Sequence, residues 1–74
     1  MIKIYYGTRE DKKLFAKTEY PNQVFRAINI YMEKKGIRGY YWIYRDSDPI
    51  ELDFGSHTHF FFIEGTTMPE LFSE

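Results

Sequence analysis

Two stretches of this chain put large apolar side chains at consecutive positions: Tyr40-Tyr41-Trp42-Ile43-Tyr44 and Phe60-Phe61-Phe62-Ile63. Successive residues of a strand point to opposite faces of a sheet. Each run, read as a strand, therefore makes both faces apolar at once. The rest of the chain supplies one convincing helix, and one helix covers one face of a small sheet. The second aromatic face calls for cover from outside, which points to a protein that works by contact.

Composition sets the limits. A chain of 74 residues is one domain, 1–74, and at this size folding buries only about 60% of the surface the unfolded chain exposes. Cysteine is absent, so the core has no disulfide to lean on and no thiolate metal site is available. Hydrophobic residues make up 43% and aromatic residues 20%, enough to build a core and too many for a disordered chain. Ten Lys and Arg stand against eleven Asp and Glu, which leaves no basic excess to hold nucleic acid. No stretch has the length and apolarity of a membrane span, and the first residues lack a signal peptide's pattern, so a cytoplasmic location is expected.

Punctuation along the chain divides it into strands around one helix. Ile2 to Tyr6 reads as a strand stopped by Gly7, Thr8 to Lys13 as a polar turn, and Leu14 to Thr18 as the returning strand. Pro21 and Asn22 supply helix-start chemistry, and Lys34-Lys35-Gly36 the matching stop. Between them Val24, Phe25, Ala27, Ile28, Tyr31 and Met32 fall on one arc at helical spacing, while Ile30 lies off it among polar positions. Tyr40 to Arg45, Ile50 to Phe54 and His57 to Glu64 are three further strands. The first two are separated by the turn cluster Asp46-Ser47-Asp48-Pro49, the last two by a two-residue turn at Gly55-Ser56. From Gly65 onward, Met68, Leu71 and Phe72 suggest a short helical turn packed on the remaining opening.

That turn sets an expected register, with Phe54 opposite His57, Leu52 opposite His59 and Ile50 opposite Phe61. One face then carries Ile50, Leu52, Phe54, His57, His59, Phe61 and Ile63, joined by Tyr41 and Ile43 across the four-residue turn. The helix covers this face. The other collects Tyr40, Trp42, Tyr44, Glu51, Asp53, Phe60 and Phe62, an aromatic platform with carboxylates among the rings. These seven residues are the expected partner-binding site.

The order strand, strand, helix, strand, strand, strand resembles the β-grasp class, to which ubiquitin and the small immunoglobulin-binding domains of bacteria belong. Met1 to Gly36 is similar to the ubiquitin opening: a strand directly after the methionine, a short hairpin, and a helix ending in a glycine followed by Ile37. Beyond Gly36 the pattern departs, with a meander at Gly55-Ser56 and the ending Phe72-Ser73-Glu74 in place of Gly-Gly. The resemblance implies a fold class and no function. The expected architecture is α+β, a single, mostly antiparallel, five-stranded sheet (ββαβββ, β-grasp-like) with one helix packed on one face.

Chemistry-bearing residues are sparse. His57-Thr58-His59, read as strand, sets two imidazoles on one side about 6.5 to 7 Å apart, from which both could reach one metal. The same register puts them beside Phe54 and Leu52, where they serve as structural side chains, and that reading is preferred. Glu51 and Asp53 alternate as a solvated strand face does, and Ser47, Ser56 and Ser73 have no base and orienter to pair with. No cofactor motif is present. The expected function is that of a small non-enzymatic interaction or inhibitor module, whose partner is another protein or a second copy of the chain, with neither nucleic acid nor membrane as ligand. An acidic aromatic face suits basic or apolar protein surfaces, through ring burial and cation–π contact. The competing reading is a metal- or small-ligand-binding protein using His57 and His59.

Overall fold

The structure is a computed structural model, and it describes residues 1–72; Ser73 and Glu74, part of the expected chain ending, lie outside the described residues. Strands β1 (Ile2–Gly7) and β2 (Lys12–Thr18) form the first hairpin. A single 3-10 turn at Pro21–Gln23 leads into helix α1 (Val24–Lys35). Strands β3 (Ile43–Arg45), β4 (Ile50–Asp53) and β5 (Phe60–Glu64) follow, and then a short helix α2 (Met68–Leu71). The sheet order is β2-β1-β5-β4-β3, and every ladder is antiparallel. This is the α+β architecture expected, a five-stranded sheet with one long helix on one face. No helix among the described residues is long and apolar enough to cross a membrane.

Local chemistry explains where α1 begins and ends. Gln23 turns its side-chain oxygen back to accept from the backbone N–H groups of Glu19 and Tyr20, and the pyrrolidine of Pro21 sits where a helix's first N–H has no partner to lose. At the far end Gly36 adopts φ 68°, the left-handed conformation that ends a helix at little steric cost, and the Ile37 N–H donates to the Met32 carbonyl at 2.8 Å. The tail is stopped in a similar way. Thr67 and Glu70 form a reciprocal capping pair at the start of α2, and Leu71 is buried.

Between the sheet and α1 lies one core of Ile2, Ile4, Val24, Ile28, Met32, Ile50, Leu52, Phe54, Phe61, Ile63 and Leu71. Ile4 faces Ile63, Ile63 faces Ile50, and Phe61 faces Leu52, so a continuous apolar row crosses three strands. In β2 the register shifts beside Phe15. Such a bulge re-aims side chains, and here the Phe15 ring stacks on Tyr31 of α1 with centroids 4.0 Å apart. Ile28 is 1% exposed and Ile30 48%, as the helical arc predicts. Ile28→Ala should therefore cost about 2 to 5 kcal/mol of stability, whereas Ile30→Ala should stay within about 0.5 kcal/mol. Urea denaturation of the two variants followed by circular dichroism measures the contrast, and equal losses would mean that α1 is turned differently.

Two expected registers are corrected. Leu52 pairs with Phe61 and Ile50 with Ile63, so the β4–β5 connection runs from Phe54 to His59 instead of turning at Gly55-Ser56. The shift is two residues, and an even shift leaves each side chain of β4 and β5 on its expected face. The shift at β3 is odd. Arg45 pairs with Glu51 and Tyr44 with Leu52, so Asp46 through Ile50 intervene between the paired residues, five positions where the expected turn had four. An odd slip exchanges the faces: Tyr44 joins the helix side and Ile43 the other. Regular pairing also begins only at Ile43, so Tyr40 to Trp42 lead into the strand as an extended segment, tied by the Tyr40 N–H to the Phe54 carbonyl at 2.9 Å.

Candidate functional site

The register of β3 divides the expected aromatic platform. Glu51, Asp53, Phe60 and Phe62 occupy the face away from α1, as expected. Tyr44 does not join them, because its ring packs on the helix side against Phe25 and Phe72, with centroids 5.9 and 5.0 Å away. Trp42 lies on the helix side as well, 6.4 Å from Phe54. It also passes so close to Gly39 that a β-carbon there would come within 2.9 Å of the indole. Tyr40 stands at the sheet margin and is mostly exposed.

The face left open by α1 is covered by the chain itself. Arg9, in the β1–β2 connection, reaches across the sheet and grips Glu51 with two bonds, Nε to Oε1 at 2.7 Å and Nη2 to Oε2 at 3.0 Å. Its guanidinium also lies over the Phe60 ring at 5.4 Å, and the Lys12 ammonium over Phe62 at 5.1 Å. From β3, Arg45 Nη1 bonds the second oxygen of Glu51 at 2.8 Å, and Arg45 leans on Asp53 at 3.4 Å. The other oxygen of Asp53 accepts from the Gly55 N–H. Glu51 and Asp53 are consequently buried, and Phe62 is buried between them and the cations. The expected acidic rim is neutralised in place. An open hollow of about 360 Å³ remains over this face, edged by Arg9, Lys12 and Arg45 and by Glu51 and Asp48.

This clamp gives Glu51 a distinctive titration. The hydrogen bond from Arg9 holds its carboxyl below the ordinary value of 4.5, assisted by Arg45 and opposed by burial. A carboxyl depressed in the folded state contributes stability above the unfolded value and loses it as pH falls through the folded one. In Glu51→Gln, which keeps the shape and removes the charge, stability should fall less steeply with acid than in the parent below about pH 4.5. Urea midpoints measured across that range test this, and parallel slopes in the two proteins would remove Glu51 as the source.

His57 and His59 lie in the β4–β5 connection, off the strand on which they were expected. His59 stacks on Tyr6 with centroids 5.6 Å apart, and its Nδ1 lies 2.7 Å from the Thr58 hydroxyl. His57 is exposed. Among the described residues no group of three or more His, Cys, Asp or Glu is arranged to hold a metal ion.

The run that leads into β3 and includes its first residue is exposed as well. Tyr40, Tyr41, Trp42 and Ile43 are 73, 45, 41 and 44% exposed, four consecutive large apolar residues against one edge of the sheet. Behind them α1 does not close over β3, and a second hollow of about 240 Å³ is lined by Phe25, Ile28, Asn29, Trp42 and Tyr44. Parity arguments had no means of finding it, because the hollow depends on where α1 ends its cover of the sheet. Compared with known proteins, the chain is matched by no family model, no curated protein and no solved structure.

Proposed function

We propose that this domain is a small non-enzymatic protein-interaction or inhibitor module, acting in the cytoplasm, that binds through the segment Tyr40 to Ile43 beside the β3 edge. One observation carries the reading: four consecutive large apolar residues are each exposed along one sheet edge, Trp42 toward the helix side and Ile43 toward the other. Singly exposed apolar residues are ordinary on a protein surface, whereas a run of four at one edge is suited to contact with a partner. Tyr and Trp are also the residues most enriched where truncation weakens binding most. Tyr40 and Trp42 keep the role expected of them. Tyr44 supports Phe25 behind the patch, and Glu51, Asp53, Phe60 and Phe62 hold the opposite face closed.

The test is affinity capture together with light scattering over a range of protein concentration. Tyr41→Ala and Trp42→Ala should both lose the association seen with the parent protein, whether with a partner or with a second copy. Ile30→Ala, exposed on the far side of α1 from the hollow, should retain it. Association that survives both aromatic substitutions would remove this segment as the interface.

A further inference from the structure

The hollow over the outer face holds more hydrogen-bond donors than acceptors. Arg9 and Lys12 wall it from around the β1–β2 connection, Arg45 and Asp48 from the end of β3 and the turn beyond, above the buried Glu51 and Phe62. A guanidinium carries five N–H groups and an ammonium three. Arg9 spends two of its groups on Glu51, and Arg45 divides its terminal nitrogens between Glu51 and Asp53. Lys12 makes one long bond, 3.4 Å, to the Arg9 carbonyl. The acceptors run out first, because both oxygens of Glu51 are already occupied. Each cation therefore keeps N–H groups that Glu51 and Asp53 do not take up, and the arginine side chains are 66 and 41% exposed. A ligand that complements this hollow has to bring acceptors.

The cations are also held in place before any ligand arrives. Glu51, whose side chain is 6% exposed, grips guanidinium groups from two different elements, and the rings of Phe60 and Phe62 lie under Arg9 and Lys12. Long basic side chains ordinarily lose rotamer freedom on binding; here part of that cost is met by folding. A fork of guanidinium N–H groups matches the oxygens of a carboxylate or a phosphate. The volume of about 360 Å³ falls in the roughly 300 to 1,000 Å³ of small-molecule sites, which leaves space for an organic body behind the charged group. One lining residue opposes an anion. Asp48 is exposed and, among the described residues, forms no ion pair, so its charge lowers the affinity the three cations provide.

We propose that this hollow binds a small organic anion, with its carboxylate or phosphate group held by Arg9, Lys12 and Arg45. The site is separate from the interface read at Tyr40 to Ile43 and does not depend on it.

The probes are citrate and phenyl phosphate, titrated into the full chain while backbone amide signals are followed by NMR, with chloride at equal ionic strength as reference. Both should give saturable shifts at Lys12 and Ser47 beyond those of chloride, and the one that saturates at lower concentration identifies the preferred head group. Lys12→Gln should weaken binding about fivefold to tenfold, the loss of a charged hydrogen bond. Asp48→Asn should tighten it. Lys13→Gln removes the same charge from the next residue of β2, which points to the other side of the sheet, and should stay within about twofold, since solvent screens a charge so placed. None of the three substitutions touches the clamp on Glu51, so the fold is retained and unchanged amide signals across the core verify it. Shifts no larger than those of chloride, meaning an adventitious ion only, would overturn the site. Equal weakening by Lys12→Gln and Lys13→Gln, looser binding in Asp48→Asn, or saturable shifts confined to residues away from the hollow would do the same.

Discussion

Phe61→Ala should remove about 3 to 5 kcal/mol of stability, the usual cost of emptying a buried aromatic site. Phe61 is completely buried, and it stands where the helix, the first hairpin and the C-terminal meander meet. Its ring centroid lies 5.1 Å from Tyr6 of β1, 5.8 Å from the bulged Phe15 of β2, 6.2 Å from Tyr31 of α1 and 5.2 Å from Phe54. No neighbouring side chain can move in without leaving its own place in this cluster, so the cavity persists. A domain of this size has a total stability of roughly 4 to 11 kcal/mol, so the variant should lose a large share of it and unfold at a much lower urea concentration than the parent. Circular dichroism and urea denaturation read the result directly. A loss below about 1 kcal/mol would mean that the cluster is not the centre of the core.

Trp42→Ala should weaken association by about 2 kcal/mol, roughly thirtyfold, if the indole is a central anchor. The indole is suited to that role because it is held and exposed at once. Gly39 and Phe54 border one side of it, and 41% of the residue remains open to solvent, so binding buries a large ring that is already partly held in place. Tyr40→Ala separates binding from folding. Its side chain is mostly exposed, and its tie to Phe54 runs through the backbone N–H, so the substitution should reduce affinity with stability unchanged within about 0.5 kcal/mol. Affinity that survives both substitutions would place the interface elsewhere.

Much of the architecture was legible because it rests on local signals. The arc of Val24, Ile28 and Met32, the Gly36 stop, and the alternation of Ile50, Leu52 and Phe54 against Phe61 and Ile63 depend on helical or strand period and on end chemistry within a few residues. They survive even a wrong loop length, since the β4–β5 register slipped by two and no side chain changed face. The candidate site was less legible, because it depends on parity across a connection. One additional residue between Arg45 and Glu51 moved Tyr44 from the outer face to the helix side, and a turn cluster such as Asp46-Ser47-Asp48-Pro49 does not by itself say how many residues separate the last paired positions. The cover of the outer face was hidden for another reason. Arg9 and Glu51 are 42 positions apart, and nothing in a polar turn announces that its arginine will reach across β5 to a carboxylate on β4. The outer face looked like a surface in need of a partner when its partners were already in the chain. The exposed run puts the proposed interface at the edge instead.

The chain has a single tryptophan, and it stands inside the proposed interface, so its emission reports occupancy of that site alone. Titrating the protein with an associating partner that lacks tryptophan while recording Trp42 fluorescence and its quenching by acrylamide is the most direct measurement of the central claim. Burial of the ring should shift the emission to shorter wavelength and reduce quenching, saturating with the same affinity as binding measured by calorimetry. Saturated binding with the emission and the quenching of Trp42 unchanged would contradict an interface at Tyr40 to Ile43.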